Sequence, residues 1–75
     1  MSVSVCQEYI LHNEDTDEYF HEGDYITRIV YYKDNNECSV RNVYISNITQ
    51  DTVTLYNSEN FDEIDINIID IIDCY

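Results

Sequence analysis

The residues best placed to do chemistry lie in the run from His12 to Asp24, which reads HNEDTDEYFHEGD. Asn13, Asp15, Asp17, Tyr19, His21 and Asp24 can be laid over a calcium loop of the EF-hand kind, whose ligands fall at positions 1, 3, 5, 7, 9 and 12. The overlay fails where that geometry is strict. Glu18 stands where a glycine must make the sharp turn, Asp24 replaces the longer bidentate glutamate, and no helix pair flanks the run. Weak calcium binding at residues 13–24 is all that survives of this reading, and no metal or cofactor site is expected. His12 and His21, taken with Cys6, Cys38 and Cys74, show none of the paired spacings that zinc requires. The cysteines lie 32 and 36 residues apart without a C-x-x-C motif. Acidic surroundings would raise a thiol pKa, so these side chains are expected to be reduced core filler and not nucleophiles. There is no G-x-S-x-G elbow, and among sixteen carboxylates any acid-base pair could be drawn, so none is informative. No enzymatic activity is expected.

The carboxylates acting together are a different matter. Sixteen Asp and Glu against three Lys and Arg give 75 residues a formal net charge of −13. Arg28, Lys33 and Arg41 cannot form a basic stripe, which disfavours direct binding of DNA or RNA. Abundant Ile, Asn and Tyr are what A/T-rich coding would produce, yet such bias should also enrich Lys, and Lys33 is alone. The missing lysines point to selection for negative charge, although solubility by itself would ask for only a few charges. Residues two apart on a strand point the same way at roughly 6.6 Å, close to the spacing of neighbouring phosphates. Asp15 with Asp17, Glu22 with Asp24, and Glu63 with Asp65 have this separation in sequence. Such fixed carboxylates could occupy the Lys/Arg groove of a nucleic-acid-binding protein, the competing reading being a solvated acidic face with no partner. Tyr19 and Phe20 lie within the acidic run, and an aromatic anchor ringed by charge is typical of a protein interface.

These side chains need elements to hold them. Apolar residues make up 44% of the chain and are mostly β-branched or aromatic, which argues for a folded, mostly β domain. A chain this short buries only about 60% of its unfolded surface, so one domain over residues 1–75 is expected, with no room for a typical cofactor cleft. Val3, Val5, Gln7, Tyr9 and Leu11 alternate as a first strand. The stretch from His12 to Asp24 reads as an acidic loop, with a short helical turn from Asp15 to His21 capped by Thr16 or Asp15 and packing Tyr19 and Phe20 inward. Tyr25 to Tyr32 is the best strand. Lys33 to Glu37 is a turn in which Asn35-Asn36 tolerates the left-handed conformation. A strand from about Ser39 to Ile48 should put Val43 and Ile45 on one face and Val40, Tyr44 and Ile48 on the other. Thr52 to Tyr56 follows, then a turn at Asn57 to Asn60. Ile64, Ile66 and Ile68 alternate before the period changes, so a strand, a tight turn near Asn67 to Asp70 and a short closing strand are expected. Tyr25, Tyr31 and Tyr44 read as barrel core or rim. No apolar run is long enough to span a membrane, and the stretch from Met1 to Cys6 lacks the features of a signal peptide, so a cytoplasmic protein is expected.

Tyr25 to Tyr75 resembles the small SH3-like and Sm-like barrels, including the YolD-like group. The matching pattern is Ile26-x-x-Ile29-Val30-Tyr31-Tyr32, a polar turn, Val43-x-Ile45-x-x-Ile48, Thr52-Val53-Thr54-Leu55, and Ile64-x-Ile66-x-x-Ile69-x-x-Ile72. The resemblance implies a twisted antiparallel sheet or barrel of four or five strands. It does not bring RNA binding with it, because Ile69-Asp70-Ile71 stands where Sm proteins carry a basic residue followed by glycine. The chain as a whole is similar in type to small acidic phage inhibitors of host defence, including anti-CRISPR proteins and other DNA mimics. That likeness implies binding to the basic groove of a host nucleic-acid-binding protein through Glu14, Asp15, Asp17, Glu18, Glu22, Asp24, Asp62, Glu63 and Asp65, with Tyr19 and Phe20 as the desolvated contact. A small-barrel adaptor without nucleic-acid mimicry is the alternative, and an edge strand could also pair two copies into a homodimer.

Overall fold

The computed structural model describes residues 3–6 and 9–75. Within them the chain forms two antiparallel sheets. The first has three strands in sequence order: β1 (Val3–Cys6), β2 (Ile10–Asn13) and β3 (Glu18–Phe20). The second has five, in the order β7-β6-β5-β4-β8, from β4 (Tyr25–Lys33), β5 (Asn36–Ile48), β6 (Thr52–Tyr56), β7 (Glu63–Asn67) and β8 (Ile71–Cys74). A single 3-10 turn, Ile68–Asp70, sits between β7 and β8 where the apolar period changes. It lets the last strand leave β7 and return to pair with β4, so that β7 and β8 become the two edges of the sheet. Among the described residues no helix is long and apolar enough to cross a membrane.

The core lies between the sheets. Val3, Leu11 and Phe20 from the first sheet meet Ile26, Ile29, Tyr31, Val43, Ile45, Val53, Leu55, Ile66, Ile71 and Cys74 from the second. The faces of β5 differ from simple alternation, because Val43, Ile45 and Ile48 are all buried and Val40 packs against the same cluster. Two local devices cause this. Asn42 adopts φ 56°, and the paired register from β4 resumes beyond it, so Ile26 and Ile29, three residues apart, also both reach the core. Between Ile45 and Asn47 the register against β6 shifts by one residue, a bulge that turns the strand so that Ile48 points inward. The β4–β5 hairpin turns through Asp34 and Asn35, at φ 52° and 66°, with Lys33 opposite Asn36. This is a two-residue loop of the kind whose left-handed residues match strand twist, one residue earlier than the Asn35-Asn36 reading.

The amino-terminal third departs most from expectation. The single strand through Val3 and Leu11 is two strands folded back on each other, with Val5 opposite Leu11 and Tyr9 at φ 57° beside the reversal. Gln7 lies outside the described residues. The helical turn from Asp15 to His21 is not present; residues 14–17 are the turn of the β2–β3 hairpin, with Asp17 at φ 58°. Strand periodicity wins here because it sends Phe20 inward opposite Leu11 while Tyr19 faces out opposite His12.

Candidate protein interface

The expected partner-binding acids fall into two groups. Glu14, Asp15, Asp17 and Glu18 are exposed around the β2–β3 turn. Asn13 anchors that hairpin. Its side chain is fully buried, and its Nδ2 donates to the Cys74 carbonyl at 2.7 Å and to Asp73 Oδ1 at 3.2 Å. Its Oδ1 accepts the Asp15 N–H at 3.1 Å. Asp17 Oδ1 lies 3.0 Å from His12 Nε2, and the His12 ring stacks on Tyr19 at 4.3 Å and 6°. Tyr19 is thus held in a fixed pose at the surface, 53% exposed.

The second group borders the outer face of the five-stranded sheet. Gly23 N–H donates to the Ile45 carbonyl and Ile45 N–H to the Asp24 carbonyl, which lays residues 22–24 along β5. Gly23 adopts φ 93°, a conformation that side chains rarely tolerate. Glu22 has a structural task in this arrangement, because its carboxylate accepts the Ile48 N–H at 2.9 Å just past the bulge. Asp24 accepts the His21 N–H at 2.8 Å. Across the sheet, Glu63 and Asp65 are exposed on β7, where Glu63 accepts from Ser46 Oγ at 3.3 Å and Asp65 from Thr54 Oγ1 at 2.6 Å. Asp62 is exposed just before them. Of the three pairs expected to show strand spacing, only Glu63 with Asp65 lies on a strand, while Asp15 with Asp17 and Glu22 with Asp24 sit in turns. The phosphate-like spacing therefore holds for one pair.

Phe20 must be withdrawn from the expected contact surface. It is 8% exposed and belongs to the core, because its register opposite Leu11 turns it inward while Tyr19, the other aromatic of β3, faces solvent. Sequence reasoning also missed an aromatic row. Tyr25, Tyr44 and Tyr56 are directly paired across β4, β5 and β6, the rung ends at Glu63 on β7, and Phe61 lies against Tyr56. Tyr31, by contrast, is core; burial, with Cys38 opposite it, raises its phenol pKa. The signal that could have found the row was registry, since Tyr25 and Tyr44 sit at equal distances from the hairpin turn.

Chemically the surface offers charge and rings. Among the described residues no Lys or Arg forms an ion pair with a carboxylate, and the only ionic contacts are those of His12 with Asp17 and His21 with Asp24. No three His, Cys, Asp or Glu side chains among them converge as a metal site. The calcium-loop overlay is not assembled either, because Asn13 is spent inside the fold. Burial first, then Asp73 and Glu18, push the Cys74 thiol up to about 12, which leaves it protonated and inert at neutral pH. Comparison with known proteins found no matching family model, no matching curated protein and no matching solved structure.

Proposed function

We propose that this chain is a small acidic inhibitor, encoded by a phage or mobile element, that binds the basic groove of a host nucleic-acid-binding protein such as a CRISPR effector or restriction enzyme and blocks it as a nucleic-acid mimic. The observation that carries the reading is the uncompensated charge. A net charge of −13 is carried by a fold in which, among the described residues, no carboxylate is neutralised by Lys or Arg. Of the nine acids expected to meet a partner, Asp24 is half-buried and the others are exposed. Hydroxyl contacts from Ser46 and Thr54 fix Glu63 and Asp65, so less side-chain freedom is lost on binding. Cations bound along a groove by such a surface would release counterions and give fast, salt-sensitive association. The strand order, with the last strand returned to the first of the sheet, supports the small-barrel resemblance.

The test is capture of a partner from candidate host cells, followed by titration of DNA or RNA into the complex. A mimic is displaced by nucleic acid and loses affinity steeply with salt. Replacing Glu14, Asp15, Asp17, Glu18, Asp62, Glu63 and Asp65 by their amides should abolish inhibition, and retained inhibition would refute the reading. The aromatic row gives the adaptor alternative its one specific support, and an adaptor would respond neither to competing nucleic acid nor to those amides.

A further inference from the structure

We infer that the outer face of the five-stranded sheet is a binding surface for arginine side chains of a basic protein segment, built from Tyr25, Tyr44, Tyr56 and Phe61 between two flanking sets of carboxylates. This rests on the reading that the partner is cationic and specifies which of its groups are recognised.

The row is a product of the register. Tyr25 pairs with Tyr44, Tyr44 with Tyr56, and Tyr56 with Glu63, so one rung carries three rings and an acid across four strands. Their neighbours Ile26, Val43, Ile45 and Leu55 are buried, which sends the rings to the opposite, solvent side of the sheet. Tyr25 and Tyr44 meet edge to face at 5.4 Å and 65°, and Phe61 tilts against Tyr56 at 6.4 Å. Tyr25 is 49% exposed, Tyr44 40% and Phe61 74%. Phe61 is held out by a left-handed backbone, φ 61°, closed by its N–H on the Asn57 carbonyl. A bulky apolar side chain kept 74% exposed in that conformation buries little for the fold beyond its contact with Tyr56.

Charge selects the occupant. Residues 22–24 run along β5 on the Tyr25 side, and Asp62, Glu63 and Asp65 lie at the Tyr56 and Phe61 side. The ring contacts among the described residues are all aromatic, so none of the chain's own cations is seen stacking on the row. A second copy would bring the same carboxylates face to face, and a nucleic-acid base would arrive with its phosphates against a net charge of −13. A guanidinium meets neither obstacle. It lies flat on a tyrosine or phenylalanine face and sends its N–H groups edgewise to carboxylates, whereas an ammonium is more strongly hydrated and lacks the planar fit.

Ten-residue arginine and lysine peptides, titrated into the full chain at 0.15 M salt and followed by tyrosine fluorescence, separate the possibilities. The arginine peptide should bind at least about threefold more tightly than the lysine peptide. Tyr44→Ser and Phe61→Ser should each lower arginine-peptide affinity about three- to tenfold and leave the lysine peptide within about twofold. Phe61 is the safer variant, being exposed and outside the strands. The triple change Asp62→Asn, Glu63→Gln, Asp65→Asn, at the acids beside Tyr56 and Phe61, should weaken both peptides. If both peptides bind with strong salt dependence and the folded ring variants bind the arginine peptide as well as the parent does, the aromatic surface is refuted and the cationic-partner reading stands. If the parent chain binds neither peptide, both are refuted.

Discussion

Asn13 is the residue on which the two sheets depend. It is fully buried, and its amide joins the β2–β3 turn to the closing strand through Asp15, Asp73 and Cys74. Asn13→Ala leaves the Cys74 carbonyl and the Asp15 N–H without that partner and should cost about 1–3 kcal/mol, read as a lower urea midpoint. Asn13→Asp should cost more, since a carboxylate cannot donate to Cys74 and would face Asp73. Cys74 sets a pH dependence of definite sign. Its thiol is raised in the folded state to about 12 from about 9, so below pH 9 both states are protonated and no stability is lost. Above that, the unfolded chain ionises first, and stability should fall by about a kcal/mol per pH unit until the folded thiol also titrates. The raised Tyr31 pKa acts in the same direction. Denaturant melts between pH 8 and 11, with Cys74→Ala as the flatter control, check this, and iodoacetamide at pH 8 should label exposed Cys6 long before Cys74. Cys6 is exposed where core filler was expected, whereas the burial of Cys74 and the exposure of most acids were legible from residue type. The roles of Asn13 and Glu22 were not, because a buried amide and a backbone-capping carboxylate look in sequence like any other polar residue of an acidic loop.

At the scale of elements, β6 coincides with its expected limits, and the turn at Asn67 to Asp70 is where the change of period put it. Those segments alternate cleanly and are bounded by Asn, Asp and Ser, so period and punctuation agree. β5 is harder to read, because the left-handed Asn42 and the bulge at Ser46 each change which residues point inward. The acidic run misled for another reason: without an apolar repeat it matched loop or helical turn equally, and the decisive contact, Leu11 opposite Phe20, lies across a hairpin. Glu22 is the element-scale test. Glu22→Ala should destabilise by about 1 kcal/mol through loss of the Ile48 N–H acceptor, while Glu22→Gln, which keeps an acceptor oxygen, should cost less than half of that. Thermal melts of the two variants distinguish this support from simple charge removal, which would affect them equally. Gly23→Ala belongs to the same turn. Nothing crowds the added methyl, so any loss of stability reflects the backbone conformation at φ 93°.

For the whole molecule, unbalanced charge opposes compaction. The Debye length shrinks from about 30 Å at 0.01 M salt to about 8 Å at 0.15 M, so the melting midpoint should rise across that interval. A midpoint independent of salt would show that repulsion between the carboxylates is negligible in the folded state. The free edge of β7 carries Glu63 and Asp65, which should also discourage two copies from joining there despite the expectation of edge pairing. The order of the second sheet has a kinetic consequence. β4 takes as neighbours both the strand that follows it and the strand at the far end of the chain, with Ile29 opposite Cys74 across some 45 positions. The successive hairpins from β4 to β7 can zip from short loops, whereas β8 must close the longest one, at an entropic cost that is met before its contacts repay it. Substitutions in β8, such as Ile71→Val, should therefore accelerate unfolding and leave the refolding rate nearly unchanged, whereas Val43→Ala or Leu55→Ala in the central strands should slow refolding.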